Sequence, residues 1–252
     1  AGMLTKDGPK LLIDFGTNGE ILLQHEGRFY ATATAAGPAF EGGRLACGAS
    51  ASGRVISSFS RSASGWTYRL CDGSGAAPSG ISGSAYIDFL AQALDGGLVN
   101  TFGRFDRSHP DVSSHLVDGE TEHIVRFSPD IWISEPDVAE ILQAKAAIGA
   151  GVEVLLELAG LQAAELEAIF VAGGFGYHLD PEHALRVGLL PGTPKECIEI
   201  IGNAALGGAS LALQADFSEA IQTLRSHCRV VELNQIASFS DHYTDALMLE
   251  ID

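Results

Sequence analysis

Positive charge is what this chain has least of. Lys and Arg together number 15 against 32 Asp and Glu, a formal charge of −17, and no basic run interrupts the acidity. Such a surface repels duplex nucleic acid and anionic membranes, so neither is expected as a partner. A nucleotide would need local help from backbone amides, magnesium and the few cations. Long apolar runs are missing too: none approaches the ~20 residues that cross a bilayer. The best candidate, residues 146–161, is broken by Glu153 and Glu157. The N-terminus does not follow the plan of a secretory signal, which makes the cytoplasm the expected compartment. Cys47, Cys71, Cys197 and Cys228 stand far apart without a C-x-x-C pair. That spacing argues against a locally built zinc or iron–sulfur site and favours reduced, mostly buried thiols. The absence of G-x-S-x-G sets a serine hydrolase low. With no internal repeat and no long linker, the 252 residues read as one unit with an ample core.

What is present is organised around residues 11–23, Leu-Leu-Ile-Asp-Phe-Gly-Thr-Asn-Gly-Glu-Ile-Leu-Leu. An apolar strand enters a polar, glycine-flanked turn and returns as another apolar strand. Asn18-Gly19 between such runs predicts a hairpin closed by a two-residue primed turn. Two readings of its tip stand side by side. In one the tip is only a turn. In the other, Asp14 holds magnesium through water, while Gly16, Thr17, Asn18, Gly19 and Glu20 offer amides and a hydroxyl to phosphate oxygens.

The remaining chain alternates strands and helices. Strands are expected over 11–16, 20–25 and 29–34, then a short helix opened by Gly37-Pro38, a hairpin over 55–61 and 66–70, and an apolar helix over 85–94. Residues 101–119 read as an exposed loop, with His109, His115 and His123 solvent-exposed. Short strands follow at 124–127 and 131–133. Ser134 and Asp137 form a capping-box start for a long helix, on whose apolar stripe Lys145 is the single charge. Lys145 either snorkels from the edge of a core face or meets a ribose or phosphate in a cleft. The apolar run 168–172 ends in Gly173, Gly174, Phe175 and Gly176, so something approaches the backbone closely at its carboxyl end, where open α/β sheets bind ligands. A tight strand-to-helix turn is the alternative. His178 and His183 flank a helix start at Asp180-Pro181 and read as surface residues. A last small-residue segment beginning at Gly202-Asn203 opens a helix suited to close packing.

The order of these three glycine signals resembles the second lobe of the acetate and sugar kinase, heat-shock chaperone and actin superfamily: phosphate hairpin, adenosine loop, connecting helix. More closely, residues 13–20, 36–42, 80–88, 144–151, 171–176 and 188–209 resemble the C-terminal region of the ATP-dependent reductive activators of corrinoid proteins. The resemblance implies an α/β fold, the second lobe of an actin-like (ribonuclease H-like) ATPase with a mixed sheet flanked by helices. It also implies one nucleotide-binding lobe over 1–252 with an inserted α+β subdomain at about 50–134. ATP and magnesium would be the cofactors. Asp14 would be the catalytic and metal-holding residue. Gly16, Thr17, Asn18, Gly19, Glu20, Lys145, Gly173, Gly174, Phe175, Gly176 and Asn203 would bind the nucleotide. Family members use ATP in returning a corrinoid from cobalt(II) to cobalt(I), with the electron supplied through a two-iron two-sulfur domain. Neither that domain's cysteines nor a first-lobe phosphate motif precedes Asp14, so the chain is expected to hold one wall of the cleft and to be inactive alone. Two further readings stay open: a non-catalytic module that docks a corrinoid protein or forms a homodimer, and a small-molecule kinase.

Overall fold

The computed structural model describes residues 3, 8–117, 120–214 and 218–249. Three strands open it: β1 (Lys10–Phe15), β2 (Gly19–His25) and β3 (Arg28–Thr34), an antiparallel meander. Its primed turn is at the second corner, where Glu26 and Gly27 take φ of 49° and 73°. The first corner is a three-residue loop, Gly16-Thr17-Asn18, with Phe15 opposite Gly19 and neither Asn18 nor Gly19 at positive φ. The two-residue turn expected from Asn18-Gly19 is therefore corrected. Gly19 is required for a different reason: a Cβ there would lie 2.8 Å from the Thr34 hydroxyl and run into Ile148.

Between this meander and the long helix come β4 (Val55–Ser62), β5 (Gly65–Leu70), β6 (Gly80–Ile81), α1 (Gly83–Asp95), β7 (Val112–Val117), β8 (Glu120–Ser128) and β9 (Ile131–Ser134). They form two three-stranded sheets, β5-β4-β6 and β7-β8-β9, with α1 against β4. Part of the stretch expected as an exposed loop is thus strand β7. Its pairing with β8 supplies order that its polar sequence, Ser113-Ser114-His115, does not signal. The three histidines are half-buried rather than exposed; His109 Nε2 lies 2.9 Å from Arg61, and the His115 ring packs 5.0 Å from Trp132.

The chain then runs through α2 (Glu135–Ala159), β10 (Ala168–Ala172), α3 (Pro181–Arg186), β11 (Ile198–Gly202), α4 (Ala204–Gln214), α5 (Ser218–His227), β12 (Cys228–Val230) and α6 (Phe239–Ala246). Six strands join in the order β11-β10-β1-β2-β3-β12, with β10 parallel to β1 and β11 parallel to β10. Alternation along β1 sorts its side chains: Leu11, Ile13 and Phe15 enter the main core with Ile148, Val152 and Leu155 of α2, while Leu12 packs with Phe170 on the other face. Gly151 lets α2 lie close on the sheet, since a Cβ there would be 2.7 Å from Ile21 and Thr34. By contrast, the small residues of α4 pack against little, and residues 205–209 are exposed.

Helix α2 begins where the capping box puts it. The Ser134 hydroxyl accepts from the Asp137 amide at 3.3 Å, and Asp137 accepts from the Ser134 amide at 2.9 Å. Asp137 is 3 % exposed, and its second oxygen accepts from the Ala46 amide at 2.7 Å, tying the helix to the loop after β3. Asp137→Ala should therefore cost more than an ordinary cap, roughly 3 kcal/mol, because the buried Ser134 amide and hydroxyl and the Ala46 amide all lose a charged acceptor. Urea denaturation measures it, with Ser134→Ala, expected at about 1 kcal/mol, for comparison.

Candidate functional site

Parallel pairing of β1 with β10 sets Asp14 opposite Ala172, so the hairpin loop 16–18 and the glycine turn 173–176 leave the same end of one sheet. They touch. Gly173 has φ 93°, and a Cβ on it would lie 2.9 Å from Asp14 Oδ1 and collide with the Phe15 carbonyl. Its amide donates to the Gly202 carbonyl at 3.0 Å, which brings the start of α4 to the same edge. There the Asn203 side chain accepts from the Leu206 amide at 2.8 Å and caps α4.

Asp14 lies on the sheet face away from α2, directly across from Glu20 of β2. It is half-buried, and among the described residues no donor reaches its carboxylate, so burial alone pushes its pKa above the ordinary carboxylate value. At the tip, Gly16 donates to the Asn18 carbonyl at 3.2 Å and Gly37 to the Thr17 carbonyl at 2.9 Å. Thr17 and Asn18 are themselves exposed. The Thr17 hydroxyl donates to Glu41 at 2.7 Å, a partner that sequence reasoning missed; the Gly37-Pro38 break, which starts the 3₁₀ turn Pro38–Glu41, was its signal.

Two residues read as ligands also have partners inside the protein. The Phe175 ring is turned into the core, 5.3 Å from Phe15 and 4.8 Å from Phe40. Lys145 neither snorkels nor reaches the hairpin tip: it is 2 % exposed, and its amine donates to the carbonyls of Ala246 and Met248 at 2.6 and 2.8 Å, pinning the end of α6 to α2. His183, expected at the surface, bonds the buried Asp88 at 2.8 Å.

Beside the hairpin is a cleft of about 260 Å³ between the glycine turn and the start of α1. Phe15, Phe40 and Phe175 form its apolar wall, and Ser82, Ser84, Glu41 and His178 supply polar groups. Gly174 borders it with open space where a side chain would be. An apolar wall with a few convergent polar groups is the usual make-up of a small-molecule site. Magnesium takes oxygen ligands, keeps several waters and needs one or two carboxylates. Unpartnered Asp14 fits that demand. Among the described residues no group of three His, Cys, Asp or Glu is placed to hold a metal by itself, and no helix is long and apolar enough to cross a membrane.

The chain is 32 % identical to the corrinoid activation enzyme RamQ of Eubacterium limosum, over 93 % of this chain and 42 % of the relative. It is 29 % identical to the [Co(II) methylated amine-specific corrinoid protein] reductase of Methanosarcina barkeri, over 83 % of this chain and 39 % of that one. A solved structure, a reductive activator for corrinoid, iron–sulfur protein, superposes with a TM-score of 0.87 at 31 % identity, covering 98 % of this chain and 41 % of its own. The chain thus spans about two fifths of the length of the curated relatives it matches. Residues 8–252 match the family described as the C-terminal domain of RACo, the ASKHA domain, and the chain belongs to that family.

Proposed function

We propose that this chain is the ATP-binding portion of a cytoplasmic reductive activator that helps return a corrinoid protein from cobalt(II) to cobalt(I). The carrying observation is Asp14. A half-buried carboxylate without a hydrogen-bond donor, at a strand end between two glycine-opened turns, destabilises the ligand-free protein unless a cation compensates it. In this reading Asp14 holds magnesium through water, and residues 16–20 face the phosphates. The base enters the cleft between Gly174 and Ser84, with Asn203 setting the start of α4 at the same edge. Magnesium, when bound, neutralises charge on the phosphate oxygens. The two small sheets and α1, at about 50–134, form the inserted subdomain that closes one side of the cleft. The electron comes from a two-iron two-sulfur domain outside this chain.

The chain alone supplies one wall of that cleft. It should bind magnesium-ATP at about millimolar affinity, worth ~4 kcal/mol, with no appreciable turnover. Titration calorimetry with a phosphate-release assay checks this. Tight binding with steady turnover would mean that the site is complete here.

A docking module is the second reading, and one observation favours it. Leu206, Leu211 and Leu213 of α4, Ile221 and Leu224 of α5 and Val230 of β12 are all exposed. Apolar groups gathered on consecutive elements are the usual mark of a covered face. In this reading the chain meets a corrinoid protein or a second copy there, and Asp14→Asn has no effect on ATP use.

A further inference from the structure

Helix α1 carries a second polar device directly behind the cleft. Asp88 lies four residues after Ser84, one turn further along the same face. It is 3 % exposed, and it bridges two elements: Oδ2 accepts from the Phe59 amide of β4 at 3.3 Å, and Oδ1 meets His183 Nδ1 of α3 at 2.8 Å. Gln92, the next residue on that face, accepts from the Arg61 amide at 2.7 Å and donates to the Phe59 carbonyl at 2.9 Å. The β4 groups are thereby satisfied by side chains of α1. His183 is the added partner. Helix α3 follows the glycine turn, so a tie from His183 to Asp88 draws residues 174–178 toward 82–84, the two sides of the cleft.

We propose that Asp88 and His183 form a proton-dependent clasp that positions residues 82–84 against the glycine turn, and so sets how tightly the cleft closes on its nucleotide. The proposal rests on the cleft being the nucleotide site. The groups facing His183 are Asp88 from α1 and Asp180 and Glu182 from its own helix. Glu182 is also paired with Lys195, and a second α1–α3 tie joins Arg186 to Asp95 at 2.7 Å. His178 is the titratable group on the glycine turn, and it is exposed. The Asp88 hydrogen bond raises the pKa of His183 against partial burial, while burial raises that of Asp88. A raised histidine contributes fully below its unfolded pKa of about 6.5 and loses that contribution as pH rises through the folded value. The clasp should therefore loosen on the alkaline side.

Three measurements on this chain test it. In the ligand-free protein, NMR titration should find His183 above about 6.5, and Asp88→Asn should bring it back down. Amide exchange over 82–86 and 173–178, corrected for intrinsic rates, should rise between pH 6 and 8.5. Magnesium-ATP affinity should fall over the same interval by about three- to tenfold. His183→Asn, which keeps a donor for Asp88 at the position of Nδ1 and does not titrate, should hold exchange and affinity level across that interval. An ordinary titration of His183 in wild type and in Asp88→Asn, or the wild-type pH slope surviving in His183→Asn, would overturn the clasp. Failure of wild type to bind nucleotide at any pH would instead overturn the site assignment, and the ligand-free titration and exchange would still decide the clasp.

Discussion

Asp14→Asn, made in the full-length protein, should abolish most magnesium-dependent ATP turnover while leaving the melting temperature unchanged or slightly higher. The first half follows from charge. Asn keeps the shape of the side chain but cannot hold a hard cation, so the loss should reach about a hundredfold or more, on the scale of removing a group that stabilises transferring phosphates. The second half follows from the surroundings of Asp14. Its carboxylate is half-buried with no donor among the described residues, and its pKa is raised. A raised acid contributes stability below its unfolded pKa of about 3.9 and loses it as pH rises through the folded value. At neutral pH the ionised group is thus a net cost, and an amide removes it. Were Asp14 a structural residue bonded to the amides of its own turn, the opposite pattern would appear: about 1 kcal/mol of lost stability and an unchanged rate. Thermal melts and ATPase rates on the same preparation separate the two. Unchanged turnover would leave the docking module as the better reading.

The parts of this fold legible in the sequence are those whose signal is local. Ser134 and Asp137 announce α2 because a capping box lies within four residues, and the unbroken apolar run of β10 announces a buried strand. The hairpin was legible as a hairpin, yet its turn was misread. Asn18-Gly19 carries the usual primed-turn signature, but Gly19 is there because α2 passes over it, a contact with Ile148 that lies 129 positions away. The same holds for Lys145 and His183. A lysine on an apolar stripe and a histidine in a helix start look like edge and surface residues until α6 and α1 bring carbonyls and a carboxylate to them. For the site, residue types pointed to phosphate chemistry at Asp14. The cleft walled by Phe15 was not legible, because Phe40, Ser84, Gly174 and His178 come together only through the parallel β1–β10 pairing and the packing of α1.

That pairing concentrates the second large effect on one glycine. Gly173→Ala should destabilise the protein by roughly 3 kcal/mol or more and loosen the site with it. Two costs combine. A φ of 93° is a conformation that side chains other than glycine adopt only under strain, typically 1–3 kcal/mol. The added methyl would also meet the Phe15 carbonyl and sit 2.9 Å from Asp14 Oδ1. The carbonyl is that of the last residue of β1, which is paired across to Gly19 where the hairpin closes, so relief falls mainly on the glycine turn. Movement there withdraws the Gly173 amide from the Gly202 carbonyl and shifts the edge at which Asp14 and Asn203 stand. Gly174→Ala is the matched control. Its φ is not positive and nothing lies within 4 Å of the new methyl. It should stay within about 0.5 kcal/mol of wild type. Urea melts of the two variants measure the difference, and ATP titration of Gly173→Ala reports whether the site follows the turn. Equal stabilities would mean that Gly173 sits in a relaxed turn with room for a side chain, and that the hairpin and the glycine turn are not held against each other.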